Sequence, residues 1–192
     1  MKRPFSETPP DAAPSQQTEQ LVRQYYPYIA RLVQSIVHDA AEAEDIAQET
    51  FITALLADSH SYEGNINHKG WLSKIAVNKA RDLLRRRKVR DRWQQLWRGE
   101  WRGQTNGRLP EDVASQNETS QQLWRAVESL NEKHRLPVIL RYGHQLPIKE
   151  IAAILEIKEG TVHSRLHHAH RQLARMLSLD VETVLLLQGG VL

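Results

Sequence analysis

Histidines grouped near the C-terminal end are the residues of this sequence with the most chemistry to offer. Four of them lie in the stretch GTVHSRLHHAH, residues 160–170. Such a group can bind a metal ion, titrate near neutral pH, or stand where other proteins place cations facing DNA. His163 and His167 lie four residues apart and would share a helical face, but the sequence offers no third ligand of certain placement and no cysteine. We therefore expect no metal site and no cofactor.

Carboxylates form a second group. The run from residue 39 to residue 49 contains no lysine or arginine, and its acidic residues are Asp39, Glu42, Glu44, Asp45 and Glu49. Together with His38 they could be read as the metal site of a nuclease. At these spacings, however, the carboxylates spread around more than one face of a helix, and no second carboxylate motif completes a site. We expect the chain not to be an enzyme, which leaves a solvated helix face or a surface for a protein partner.

A basic run follows the acidic one. Residues 79–92 contain two acids and eight basic residues, Lys79, Arg81, Arg85, Arg86, Arg87, Lys88, Arg90 and Arg92, although the whole chain has a net charge of only +3. Opposite charges are thus segregated along the sequence. We expect one surface that repels phosphate and another that attracts it.

Helical periodicity places these groups on defined faces. Apolar residues recur at intervals of three and four over residues 18–37, where Pro27 predicts a kink or restart. Asp39 can cap a second helix. The inward stripe of that helix is predicted to be Ile46, Ala47, Thr50, Phe51, Ala54 and Leu55, and its outward face Asp45, Gln48, Glu49 and Ile52. A third helix, with a cationic far end, is expected over residues 68–90.

The remaining segments predict two small domains. We expect a disordered leader at 1–17, a first domain at 18–90 with a loop at 57–67, a flexible linker at 91–117, a second domain at 118–177 and a tail at 178–192. No segment shows the alternation of a strand, so the fold class is predicted to be all-α. The apolar runs fall short of the roughly 18 to 20 residues of a membrane span, and we expect a cytoplasmic protein without membrane insertion.

The second domain contains the pattern of a helix-turn-helix. The segments PIKEIAAIL and EGTVHSRLHHAHRQLARML are separated by a tight turn, with small Ala152 allowing close approach and Val162 filling the angle between the helices. In this motif the second helix enters the major groove of DNA with its N-terminal residues. An ordinary packed pair of helices is the alternative, and the basic run in the first domain favours DNA.

Three ordered motifs resemble regions 2 and 4 of the extracytoplasmic-function (ECF, group IV) sigma factors of bacterial RNA polymerase, which belong to the sigma-70 family. They are AEAEDIAQETFITAL, GWLSKIAVNKARDLLRRR and LPIKEIAAILEIKEGTVHSRLHHAHRQL. The resemblance covers about residues 20–90 and 118–177. It implies two helical domains joined by a linker, and a chain that directs promoter recognition, promoter melting and transcription initiation by core RNA polymerase.

The same resemblance implies three sets of site residues. The acidic helix would dock on the clamp helices of the polymerase beta-prime subunit through Asp45, Gln48, Glu49 and Ile52. The minus-ten element would be held by Tyr62, Asn78, Arg81, Arg85 and Arg86, with Arg87 and Lys88 beside them at the helix end. The minus-35 element would be bound by Thr161, His163, Ser164, Arg165, His167, His168 and Arg171. Further partners implied are the polymerase beta flap and an anti-sigma factor.

The sequence departs from the family pattern at two places. His163, His168 and His170 stand where lysine or arginine is usual, and free histidine titrates near ~6.5. This suggests the hypothesis that minus-35 binding tightens between about pH 7.5 and 6. Glu156 occupies the tight turn, where glycine is frequent because of its tolerance of positive φ.

The alternative function is a stand-alone helix-turn-helix regulator that binds duplex DNA without polymerase.

Overall fold

The computed structural model describes residues 16–57, 67–98 and 118–178. Over these residues it consists of helices and their connections and contains no strand, which confirms the all-α prediction. The helices are α1 Gln16–Val37, α2 Ala40–Leu56, α3 His68–Arg98, α4 Glu118–Ser129, α5 Glu132–Val138, a π turn Ile139–Gly143, α6 Ile148–Leu155 and α7 Glu159–Leu177. Most of the predicted leader, loop, linker and tail lies outside the described residues.

Helices α1, α2 and α3 form an N-terminal bundle. Its core contains the fully buried side chains of Ile29, Leu32, Ile36, Leu72 and Val77. The chain turns between α1 and α2, where the side chain of Asp39 accepts a hydrogen bond from the Glu42 backbone N–H at 3.0 Å. This confirms the predicted helix cap, which satisfies one of the otherwise unpaired N–H groups of the first turn.

Three details of the N-terminal bundle differ from the sequence prediction. Helix α1 continues through Pro27, which is exposed and lies inside the helix, so the predicted restart is wrong. Leu55, predicted to point inward, is 41% exposed. Helix α3 ends at Arg98 rather than near Arg90, because residues 91–98 contain neither glycine nor proline and the first strong helix breaker is Gly99.

Helices α4 to α7 form a C-terminal bundle. Ile139, Leu140, Ile151, Ile154 and Leu173 are among its fully buried side chains. Before α6 the chain reverses direction, and the Leu146 N–H donates to the Leu140 carbonyl at 3.1 Å.

Helices α6 and α7 form the predicted helix-turn-helix. Ala152 and Val162 are buried between them, as expected for a small contact residue and an apolar plug. The turn passes through Glu156 at φ 55° and ψ 45°, and the Ile157 N–H donates to the Ala152 carbonyl at 3.0 Å. Glu156 therefore adopts the left-handed conformation that glycine reaches at lower cost.

The two bundles contact one another. Helix α3 packs along α6, and α1 touches the π turn. We call this contact the seam. Among the described helices, none is both long and apolar enough to cross a membrane.

Candidate protein and nucleic-acid interfaces

Helix α2 presents one continuous outward face. Asp45, Gln48, Glu49 and Ile52 are all exposed, and their spacing of three, four and seven residues puts them on one side of the helix. The Glu49 carboxylate pairs with Lys79 Nζ of α3 at 3.2 Å. We call these four residues the docking face.

The docking face continues into an apolar patch that the sequence analysis missed. Ile52 is 56% exposed, Leu55 41% and Leu56 81%. Positions three and four beyond Ile52 share its side of a helix, so the spacing was the signal that could have identified them. Carboxylates next to exposed branched side chains are typical of a surface for a protein partner, since large apolar side chains rarely cluster in solvent without one.

The cationic end of α3 divides into solvent-facing and structural arginines. Arg85 and Arg86 are exposed, and Arg85 Nη1 lies 3.2 Å from Asp82 of the same helix. Arg87 instead pairs with Glu42 of α2 and donates to the Val37 carbonyl at 3.2 Å. The expectation that Arg87 faces promoter DNA is therefore corrected, because its guanidinium joins the three helices of the N-terminal bundle.

Two predicted minus-ten residues lie on the side of α3 that faces the C-terminal bundle. Asn78 and Arg81 are half-buried, and Arg81 Nε donates to Glu132 of α5 at 2.9 Å. Arg85, four residues beyond Arg81 on the same side of α3, is exposed, and so is Arg86. Tyr62 lies outside the described residues.

Helix α7 gathers the residues predicted to bind the minus-35 element. His163, Ser164, His167, His168 and Arg171 are exposed, and Thr161 and Arg165 are half-buried. The Ser164 hydroxyl donates to the Thr161 carbonyl at 3.0 Å. We call the exposed set of five the recognition face. It projects from the second helix of the motif, as the prediction required.

His170 differs from the residues of the recognition face because it is buried. Its side chain is only 8% exposed, and its Nε2 lies 3.0 Å from the Tyr142 hydroxyl. It is thus a core residue of the C-terminal bundle, and the expectation that it replaces a DNA-facing cation is corrected. His163 and His168 remain exposed, with the His168 ring 5.9 Å from that of His134 between centroids.

Metal binding finds no support in the arrangement of side chains. Within residues 16–57, 67–98 and 118–178, no three or more histidine, aspartate or glutamate side chains are placed to hold a metal ion. The spacing of His163 and His167 on one helical side is therefore not completed by a third ligand among the described residues.

The fold and these surfaces define a class of protein. Over the described residues, an all-α fold couples a helix-turn-helix to a second helical bundle that has an exposed acidic and apolar face and an exposed cationic helix end. This is the make-up of a transcription factor that contacts DNA together with a protein partner.

Comparison with known proteins narrows the class to a family. Residues 21–90 match the model of sigma-70 region 2, and residues 120–173 match that of sigma-70 region 4. The chain is 32% identical over 160 residues to the ECF RNA polymerase sigma factor SigW of Bacillus subtilis, covering 80% of this chain and 84% of that protein. The chain belongs to the ECF sigma factors of the sigma-70 family, and the recognition made from its three motifs is confirmed.

Two further likenesses agree with this assignment. The chain is 32% identical over 168 residues to the ECF sigma factor SigE of Mycolicibacterium smegmatis, covering 88% of this chain and 64% of the length of that relative. The fold is similar to that of the sigma factor RpoE from Bartonella quintana, solved in complex with the anti-sigma factor NepR. That match has a TM-score of 0.66 and 24% identity, and it covers 86% of this chain and 99% of the other.

Proposed function

We propose that this chain binds core RNA polymerase and directs it to promoters, acting as an initiation factor that performs no bond chemistry itself. Residues 18–90 would form the polymerase-binding and minus-ten-binding domain and residues 118–177 the minus-35-binding domain, with a leader at 1–17, a linker at 91–117 and a tail at 178–192. The observation that carries the proposal is the docking face, because a regulator acting alone needs only the helix-turn-helix to bind duplex DNA and does not require a second bundle with this surface.

The docking face would seat on the clamp helices of the beta-prime subunit. Asp45 and Glu49 supply charge for orientation, while Ile52, Leu55 and Leu56 supply apolar area that a partner can bury. The C-terminal bundle would in turn contact the beta flap, which the family resemblance implies.

Promoter DNA would be held by two separate surfaces. Arg85 and Arg86, together with Asn78 and Arg81 of the same helix, would bind the unwound minus-ten strand, and Tyr62 would stack against a base extruded from it. The recognition face, with Thr161 and Arg165 beside it, would read the minus-35 duplex through the major groove. Each phosphate contact is weak by itself, so binding should be collective and sensitive to salt.

An anti-sigma factor is the proposed partner of the chain when it is not bound to polymerase. One solved structure of similar fold is a complex of this kind, that of the sigma factor RpoE with the anti-sigma factor NepR. We propose that such a factor covers the docking face and the DNA-binding surfaces in the cytoplasm.

Run-off transcription tests the proposal. Purified core polymerase is given a DNA fragment from upstream of the gene that encodes this chain, with and without the chain. We expect a discrete transcript only when the chain is present. Co-migration with core polymerase in gel filtration is the companion measurement. Failure of both would contradict the proposal, and a footprint on the same duplex without polymerase would favour the stand-alone regulator instead.

A charge reversal locates the binding surface. Asp45→Arg places a cation on the docking face, and Glu19→Arg makes the same charge change on the exposed side of α1. We expect the first variant to lose at least about tenfold in affinity for core polymerase, because a wrongly charged group in an interface is desolvated without a partner. The second should bind as the unmodified chain does. Equal affinities for the two variants would rule out this face.

A further inference from the structure

One side of α3 is covered by the C-terminal bundle. Lys74, Asn78 and Arg81 follow one another at intervals of four and three residues and therefore share that side, which we call the basic face of α3. Helix α6 packs along it, and all three residues are half-buried. Two of them, Asn78 and Arg81, are proposed above to hold the minus-ten strand.

Glutamates from the C-terminal bundle neutralise the basic face. Glu156, in the turn of the helix-turn-helix, lies 2.8 Å from Lys74 Nζ, and Glu132, in the first turn of α5, lies 2.9 Å from Arg81 Nε. The hydrogen bond from Lys74 and its positive charge hold the pKa of the Glu156 carboxyl below its usual value. Each carboxylate thus presents oxygens to a cation much as a phosphate of DNA would.

The seam also reaches the recognition helix and α1. Arg165 and Arg81 line one cavity together with Glu132 and Lys133, so one residue from each of the two proposed DNA-binding sets lies at the same place. At the other edge, His144 Nε2 lies 3.0 Å from the Ser35 hydroxyl, and His38 Nδ1 lies 3.7 Å from a carboxylate oxygen of Glu128. The contact is therefore extended rather than a single ion pair.

We propose that the seam is an autoinhibitory contact, in which the C-terminal bundle serves as an internal partner for the basic face and occupies it in place of the promoter strand. The inference rests on the proposed function, because it requires Asn78 and Arg81 to bind DNA. A closed chain cannot offer this face to the minus-ten strand. Initiation then requires the bundles to separate, which binding to core polymerase would drive.

The strength of the ion pairs suits a contact that has to open. The side chains of Lys74 and Glu156 are 42% and 62% exposed, and those of Arg81 and Glu132 are 34% and 40% exposed. Ion pairs this accessible to solvent each shift an equilibrium by up to about fivefold. Removing both should therefore raise the ratio of open to closed chains by up to about 25-fold.

Neutralising the two glutamates tests the proposal. The variant Glu132→Gln with Glu156→Gln keeps side-chain size and removes both ion pairs. Since the chain has no cysteine, single cysteines introduced at exposed Gln24 and Arg175 allow one spin label on each bundle. We expect the label distance to lengthen, and a mixed-sequence single-stranded oligonucleotide to bind several-fold more tightly at fixed salt. Unchanged distance together with unchanged affinity would overturn the proposal.

A charge swap is the matched control. Glu156→Lys alone places two cations together and should open the seam, whereas Lys74→Glu with Glu156→Lys restores a pair of reversed polarity and the original net charge. We expect the swap to return both label distance and oligonucleotide affinity toward those of the unmodified chain. If the swap lowers the affinity while the label distance stays as long as in the single variant, net charge explains the affinity and the autoinhibitory contact is wrong.

Run-off transcription separates this inference from the proposed function. If the chain supports transcription but the variant Glu132→Gln with Glu156→Gln leaves the label distance unchanged, the proposed initiation function is supported and the autoinhibitory contact is wrong. If neither the unmodified chain nor the opened variants support transcription, the proposed function falls, and the autoinhibitory role of the seam falls with it.

Discussion

Two groups of histidines in this chain lie in opposite surroundings. His163 and His168 are exposed on the recognition face, where protonation would add positive charge toward DNA. His38 and His144 lie in the seam, where burial first, and neighbouring cations second, lower the pKa of each to about 4. The comparison shows that the position of a histidine, not its residue type, decides the effect of protonation. A positive charge on the first group can attract DNA, whereas a positive charge on the second group destabilises the seam.

Protonation of either group on acidification should nevertheless favour stronger DNA binding. Protons on the recognition face should strengthen contact with promoter phosphates, while protons in the seam should weaken the closed arrangement. The neutral, closed chain is thus the form with the weakest DNA binding, and the charged, open chain is the form with the strongest.

The largest expected effect is opening of the seam by acid. In the closed chain His38 and His144 have a pKa of about 4, whereas an exposed histidine titrates near 6.5, so the open form binds more protons. The closed form is therefore fully favoured above about pH 6.5 and loses ground as the pH falls toward 4. Between pH 7.5 and 5.5 each histidine should shift the equilibrium about tenfold, and the two together up to about 100-fold.

The neighbours of each seam histidine decide how much it contributes to the pH dependence of opening. His144 faces the Ser35 hydroxyl, the edge of the Tyr28 ring, and the cations Lys69 and Arg31. His38 faces the cations Arg87 and Arg135, and also Glu128, whose own pKa is raised by burial.

Because Glu128 could pair with a protonated His38, His144 should carry the larger part of the pH dependence. The measurement is the distance between spin labels on the two bundles as a function of pH. His144→Gln should remove about tenfold of the response, and an unaltered pH profile in this variant would contradict the assignment.

The amino-acid sequence was sufficient to predict the helical fold class and the side chains that face outward from the helices. Regular spacing predicted the outward residues of the docking face, since a helix displays residues three and four apart together whatever it packs against. The residues of the recognition face were instead implied by the helix-turn-helix pattern and the family resemblance. Asp39 was identified as a cap because capping depends only on local chain geometry.

Tertiary partners account for what the sequence could not supply. Arg87 and Arg85 are two residues apart in one basic run, but only Arg87 reaches Glu42 and the Val37 carbonyl of other helices. His170 follows two exposed histidines, but Tyr142 lies against it. The seam was not foreseen, because Lys74 and Glu156 are separated by 82 positions and their spacing leaves no local pattern.

A smaller effect is expected on the recognition face. His163→Lys with His168→Lys fixes two positive charges there, so minus-35 duplex binding by the holoenzyme should strengthen about tenfold at pH 7.5. The tightening of the unmodified holoenzyme between about pH 7.5 and 6 should largely disappear in this variant. The measurement is affinity for the duplex at fixed salt, taken as the ratio of variant to unmodified chain at each pH.

His170→Gln is the control for that experiment. Its side chain is buried against Tyr142, so its replacement should leave the pH dependence of duplex binding as it was, provided the helical content is retained. If this variant flattened the profile as strongly as the double lysine variant, the division between surface and core histidines on α7 would be wrong.

The smallest effect concerns the turn that supplies one side of the seam. Glu156 holds φ at 55°, where glycine is relaxed, so Glu156→Gly should relieve the turn while removing the ion pair with Lys74. We expect the thermal unfolding midpoint of the chain to rise by about 2 to 4 °C, and the bundles to separate more readily at the same time. Calorimetry and the label distance measure the two effects independently. A glycine variant that is more stable but stays closed would mean that Glu156 serves the turn alone, and the closed arrangement would then depend on Arg81, Glu132 and the seam histidines.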